Sequence, residues 1–163
     1  MHNMRLLILF LLFFTFWGCA PSQSNKEDDN LSSRNIATYQ ILKTGQYPQD
    51  NGRYLDAPKE VLFYYSNKEE DIKAFEQEYF LLTGEEAPSF EGTVVIAKMG
   101  TKKSGGYSYE LVDIVPSANS IEVKILYKKP GEGELVTMAL TNPYIIILLP
   151  ENYKEVIVTE VEE

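Results

Sequence analysis

A chain of 163 residues with 15 Lys+Arg against 24 Asp+Glu carries a formal charge of −9, a surface that repels phosphate backbones. No run of lysine or arginine offsets that charge along the sequence, so the composition argues against a nucleic-acid partner. The only histidine, His2, and the only cysteine, Cys19, both lie near the N-terminus, so neither an intrachain disulfide nor a clustered His/Cys site is available downstream.

Residues 1–18 are unlike the rest. Arg5 is their only charged side chain, and a twelve-residue apolar run from Leu6 to Trp17 follows it, closed by Gly18 and Cys19. Crossing a hydrocarbon core of about 30 Å takes roughly 20 helical residues, so this run is too short to span. A basic start, a short apolar core and a small residue at its end describe a secretory signal peptide. Phe16-Trp17-Gly18-Cys19 resembles a bacterial lipobox, although Phe16 stands where leucine is usual and Trp17 where a small residue is commoner. The resemblance implies cleavage before Cys19 and a lipid, palmitate among its acyl groups, on that residue. The expected location is the bacterial cell envelope, lipid-anchored, periplasmic or surface-exposed.

Loss of Arg5 leaves 14 basic residues against 24 acidic ones, a formal charge of −10. It also removes the histidine, and acylation occupies the one thiol. Ser-His and Cys-His nucleophiles and zinc sites built on His or Cys are then excluded. The expectation is a protein with no catalytic residue, no metal and no cofactor, which is not an enzyme.

Residues 19–35 are polar and read as a flexible tether. Lys26-Glu27-Asp28-Asp29 resembles the surface-export signals of some lipoproteins, but solvated linker charge is the plainer account. Residues 36–163 are expected to form a single β-rich domain, long enough to bury a core. Tyr39-Gln40-Ile41-Leu42 reads as a first strand ending at the turn residues Thr44 and Gly45, followed by a loop from Tyr47 to Asp56. Glu60 to Tyr65 is a second strand. An amphipathic helix is predicted near residues 67–83: Ser66 and Glu69 have the spacing of a capping box, Ile72, Phe75, Tyr79 and Leu82 make one apolar stripe, and Gly84 follows where a left-handed cap is wanted.

Beyond Pro88 the pattern is β. Thr93 to Met99 reads as a buried strand and Tyr107 to Val115 as the next. Ile121, Val123, Ile125 and Tyr127 alternate with Glu122, Lys124, Leu126 and Lys128, the two-residue period of a half-buried strand. Leu135 to Leu140, Tyr144 to Leu149 and Glu155 to Val161 read as three more, with turns at Pro130-Gly131-Glu132-Gly133 and Thr141-Asn142-Pro143. The fold class expected is α+β, mostly antiparallel β, a sandwich-like domain with one helix.

Two segments are more specific than propensity. One runs from Met99 through Gly105-Gly106-Tyr107 to Leu111; the other runs from Pro130-Gly131-Glu132-Gly133 through Thr137 and Thr141-Asn142-Pro143-Tyr144 to Ile147. In this order and spacing they resemble the PrcB C-terminal domain family over roughly Pro88 to Pro150, with Met138 standing where glutamine is common. That family is named after a lipoprotein subunit of a spirochaete surface protease complex. The resemblance implies a small non-catalytic β-domain of exported proteins and, in the namesake, a part in assembling a protease complex.

The motif residues Ser104, Gly105, Gly106, Tyr107, Pro130, Gly131, Gly133, Pro143 and Tyr144 are the candidate partner-binding loops. Rigid loops carrying an aromatic are how small β-domains grip partners; turn geometry alone, with both tyrosines in the core, is the plainer reading. The expected function is a membrane-tethered module that binds or assembles another envelope protein, a protease included. Two alternatives stand beside it. Eleven tyrosines could stack on sugar rings of the envelope, and the three-loop arrangement looks like the chagasin-type cysteine-protease inhibitors. A carboxylate hydrolase using Glu110, Asp113 or Glu122 is the remote option.

Overall fold

Two strands with no polar face organise the fold. Thr93–Met99 and Pro143–Leu149 are apolar at nearly every position, a pattern that suits strands covered on both sides. They pair antiparallel with each other, Val95 opposite Ile147 and Ile96 opposite Ile146, so alternate side chains of both strands feed two separate cores. Everything else is arranged to cover those two faces.

The computed structural model describes residues 39–46 and 57–162, all within a unit running from Asn35 to Glu163. The signal peptide, Cys19, the tether and the loop expected from Tyr47 to Asp56 lie outside the described residues. In chain order the elements are β1 (Gln40–Gln46), β2 (Lys59–Tyr65), α1 (Glu69–Thr83), β3 (Thr93–Met99), β4 (Ser108–Pro116), β5 (Ser120–Lys128), β6 (Pro143–Leu149) and β7 (Glu155–Glu162). They form a four-stranded sheet, β1-β6-β3-β2, and a three-stranded sheet, β4-β5-β7. The architecture is α+β, a sandwich of mostly antiparallel strands with one helix.

One core lies between the sheets: Val95, Ala97, Met99, Ile145, Ile147 and Leu149 meet Tyr109, Ile121, Val123 and Ile125. The other lies under the helix, where Phe75, Tyr79 and Leu82 pack on Val94, Ile96, Tyr144 and Ile146. The helical stripe predicted from spacing is therefore core contact, with Phe75 fully buried and Ile72 partly so. Lys98 ties the helix to the first sheet through Glu78 at 2.7 Å and Glu60 at 2.5 Å. Burial works against its charge, yet the hydrogen bonds from those two carboxylates outweigh it and leave the ammonium above its ordinary pKa.

Several local readings needed correction. The capping box does not form: Lys68 is the N-cap, without a side-chain cap. The Ser66 hydroxyl instead accepts the Gly92 N–H at 2.8 Å, fastening the start of β3, and Asp71 reaches back to accept the Tyr65 N–H. Gly84 does close the helix in the left-handed region, donating to the Phe80 carbonyl. Thr44 and Gly45 do not end β1, which runs on to Gln46. A Cβ at Gly45 would come within 3.0 Å of the Tyr144 hydroxyl, so glycine there serves close packing and not a turn. Leu135–Leu140, expected as a strand, forms none.

The last strand holds the one departure from antiparallel order: β7 lies parallel to β5, Ser120 opposite Glu155 and Val123 opposite Val158. The chain achieves this by crossing into the first sheet as β6 between them, the long connection that parallel neighbours require.

Two measurements follow. Phe75→Ala should lower unfolding stability by about 3–5 kcal/mol, whereas Phe80→Ala, on the exposed side of the same helix, should change it by no more than about 0.5 kcal/mol; guanidinium unfolding compares them. Burial, with Glu78, Glu60 and Asp71 nearby, pushes the Tyr64 phenol up to about 12. An unfolded tyrosine ionises near 10. The raised pKa means stability is intact below about pH 10 and falls as pH rises towards about 12, because the unfolded chain sheds a proton that the folded chain keeps. Thermal unfolding across that window should show the loss, and Tyr64→Phe should reduce it.

Candidate functional site

Gly105 and Gly106 are placed where side chains cannot go. Gly106 has φ +84°, and a Cβ on it would lie 2.9 Å from both Pro130 and Val136. The Gly105 N–H donates to the Thr137 carbonyl at 2.9 Å, and a Cβ there would meet the Thr137 hydroxyl at 2.5 Å. The segment before β4 thus lies directly against the segment between β5 and β6.

Further bonds latch the two segments together. Lys102 and Thr141 exchange backbone hydrogen bonds at 2.7 and 3.0 Å, and the Thr141 hydroxyl donates to the Ser104 carbonyl at 2.7 Å. Within the second segment, Glu134 folds its own turn shut: its N–H donates to the Gly131 carbonyl, and its carboxylate accepts the Gly131 N–H at 2.7 Å. The motif residues Ser104, Gly105, Gly106, Pro130, Gly131, Gly133 and Thr141 are therefore one structure, a latched loop pair spanning 101–107 and 129–142.

This latch explains why Leu135–Leu140 is not a strand. The segment bonds to Gly105 at Thr137, and an isolated bridge follows it at Thr141; neither extends into a named strand. Val136 turns in against Gly106, whereas Leu135 and Met138 project outward, 100% and 93% exposed. Two large apolar side chains are thus presented to solvent on backbone pinned between them. They carry the candidate contact surface, and the sequence reading missed them. The available signal was that Leu135 to Leu140 is apolar on both alternating faces: as a strand it would need cover on both sides, like β3 and β6, which already fill the two central places of the first sheet.

The remaining candidates are placed differently. Pro143 and Tyr144 begin β6 and are buried; Tyr144, 4% exposed, belongs to the core under the helix, and burial raises its phenol pKa, Lys43 opposing. Neither offers a surface. Tyr107 is half-buried against the inter-sheet core, its ring edge-on to Tyr127 at 6.2 Å, and its carbonyl accepts a bond from Gln46. Asn142, 9% exposed, leaves its Oδ1 without a hydrogen-bond partner among the described residues.

A local positive cluster, invisible in linear sequence, adjoins the latch. Lys102, Lys129 and Lys59 lie 5.2, 5.6 and 6.0 Å from the centre of the Tyr127 ring, within the range of cation–π attraction. Lys59 and Lys129 are held by Glu160 and Glu162; Lys102 makes no ion pair among the described residues. Glu160 also accepts the Tyr109 hydroxyl at 2.7 Å, and burial first, then this bond, raises that phenol's pKa. Three segments far apart in sequence supply these lysines, and two of the three are paired with carboxylates, so the acidic balance read from the sequence stands beside a cluster that only the fold assembles.

The acids considered for hydrolysis lie on the strands of the second sheet. Glu110 pairs with Lys128, Glu122 with Lys124 and the Thr159 hydroxyl, and Asp113 accepts the N–H of Ile114. None of the three is buried. Among the described residues no cluster of three or more His, Cys, Asp or Glu is placed to hold a metal ion.

The latch is built from the glycines, proline and threonines whose order marked the sequence. Residues 93–150 match the PrcB C-terminal family. No curated protein and no solved structure matches the chain. The matching segment runs from the first residue of β3 through β6 to Pro150, so it contains the central strand pair and both latched loops, while β1, β2, α1 and β7 lie outside it.

Gly106→Val should open the latch. A branched side chain at φ +84° is strained by about 1–3 kcal/mol before its clash with Pro130 and Val136 is counted. Hydrogen exchange at the Gly105 amide should accelerate while exchange at the β3 and β6 amides remains slow.

Proposed function

We infer that this chain is a lipid-tethered extracytoplasmic module that acts without catalysis, by binding another envelope protein through its latched loops. The observation that carries this reading is the pair Leu135 and Met138, almost wholly exposed on a loop whose backbone is bonded to its neighbour. Exposed apolar side chains are ordinary when single and mobile. Two of them held at fixed spacing, on a loop pair that also carries Lys102 and Lys129, have the make-up of a contact surface: apolar anchors with charged residues on the same loops.

The tether rests on the apolar run and Gly18-Cys19 in the sequence. No helix among the described residues is long and apolar enough to cross a membrane. The match over residues 93–150 supports a PrcB-like segment; that the partner belongs to a protease complex is the finer part of this reading and rests on the role of the family's namesake. The alternatives draw less support. Ring pairs among the described tyrosines and phenylalanines are tilted by 52–72°, the geometry of mutual packing and not of a flat platform for a sugar. A three-loop inhibitor surface needs an aromatic on its third loop, and Tyr144 is buried.

Two experiments test this. A photo-crosslinking amino acid at position 135 or 138 in intact cells should give one discrete polypeptide adduct that is absent when it replaces Ile157. Leu135→Ser combined with Met138→Ser should abolish co-purification of that polypeptide with the melting temperature unchanged, since neither side chain is packed; retained co-purification would reject the surface. Cys19→Ala should lose metabolic labelling by an alkyne fatty acid and move the protein from the membrane to the soluble fraction; retained labelling would reject the anchor.

A further inference from the structure

The two sheets do not match in width. The first has four strands and the second three. β4, one of the two edge strands of the second sheet, lies against β6, and β1 stands one place further out with no strand opposite it among the described residues. Burial records the consequence. The β1 residues that should face the second sheet, Ile41 opposite Ile147 and Thr44 opposite Ile145, are exposed, Ile41 to 44%, whereas Leu42, Lys43 and Gly45 are partly covered. The inward side of this edge strand is the bare one, the reverse of an ordinary sandwich edge.

The space left is a cleft of about 480 Å³, lined on one side by Ile41, Thr44 and Gln46 and on the other by β4 from Ser108 to Leu111. β4 pairs with β5 alone, so its second edge carries no strand among the described residues and faces this cleft. Past Leu111 that edge closes. The register shifts between Leu111 and Asp113, and the Asp113 carboxylate takes the Ile114 N–H, two devices that keep a strand from extending further. The open part of the edge and the cleft therefore coincide over the same four residues, Ser108 to Leu111.

We propose that this gap receives a short extended segment of a partner polypeptide, which adds to β4 as the fourth strand of the second sheet. Its inward side chains are apolar, covering Ile41 and Ile145. Its outward side chains are lysine or arginine, because they would stand beside Glu110, which projects from the outer face of β4 with its side chain 54% exposed; its Oε1 pairs with Lys128 of β5 at 2.7 Å, so the incoming cation shares that carboxylate from the opposite side. Charge also selects against a second copy of this chain in the same place. Two β4 edges pairing antiparallel would bring one Glu110 towards the other, on molecules that are each strongly acidic, with 24 Asp+Glu against 15 Lys+Arg in the full sequence. This proposal goes beyond the loop surface and uses none of its residues.

The probe is the peptide acetyl-Val-Lys-Val-Lys-Val-amide, added to the full mature chain and followed by amide chemical shifts and hydrogen exchange. Saturable shifts confined to residues 41–46 and 108–111, with new exchange protection in β4, are expected. Methylating two backbone nitrogens of the peptide should weaken binding about tenfold, since each lost hydrogen bond is worth about 0.5–1.5 kcal/mol and 1.4 kcal/mol is a factor of ten. Replacing both lysines by glutamate should weaken it as well, and Glu110→Lys should invert that preference. Thr44→Trp should fill the cleft and abolish binding; Glu110→Lys, at an exposed position, serves as the independent test if that variant unfolds. The Leu135→Ser, Met138→Ser double variant should bind the peptide normally, so loss of one surface is distinguishable from loss of the other. No saturable binding, shifts elsewhere, equal binding of the methylated peptide, or a concentration-dependent dimer protecting β4 by itself would overturn the proposal.

Discussion

The pairing of β3 with β6 is the constraint on which the rest depends. Both strands are apolar on both faces, and such strands are stable only where each face is covered. The helix covers one side and the second sheet the other, giving two cores that share one ladder. Lys98, the partly exposed position of β3, is tied to Glu60 and Glu78, so even the break in the apolar run is used to hold the helix down.

From that ladder the position of the loops follows. β6 must enter the first sheet beside β3, yet the chain reaches it from β5, in the second sheet. The segment 129–142 makes that crossing at the end of the sandwich where β4 begins, and there it meets the glycines at 105 and 106. Glycine allows the two backbones to approach closely enough to bond, and the residues around Val136 are held while Leu135 and Met138 are left outside. A rigid loop with apolar tips is in this sense a by-product of how the chain changes sheets. Its persistence as an exposed feature is what gives it functional weight.

The acidic character of the whole chain and the cluster of Lys59, Lys102 and Lys129 around Tyr127 coexist because charge is distributed in space and not along the sequence. The two candidate surfaces differ accordingly. The loop pair sets apolar tips beside ammonium groups, and the cleft sets a bare strand face beside Glu110. A partner that used both would need apolar residues throughout and charges of opposite sign at its two ends.

Local period alone determined much of this protein. The two-residue alternation of β5, the continuous apolar runs of β3 and β6, the stripe Ile72-Phe75-Tyr79-Leu82 and the glycine that ends its helix are all as the sequence implied, because each follows from which face of one element is apolar. The order of glycines, prolines and threonines was also enough to mark the PrcB C-terminal segment. Tertiary structure decided what period cannot express: which element covers which face. Leu135 to Leu140 has the composition of a buried strand and is left outside, since the two central places in the first sheet are already filled by β3 and β6. Ser66 is drawn from the helix cap to the Gly92 amide, Tyr144 is sealed under the helix, and three distant lysines converge on one ring. In each case the deciding energy is a contact between residues far apart in the chain, and such contacts leave no local pattern to read.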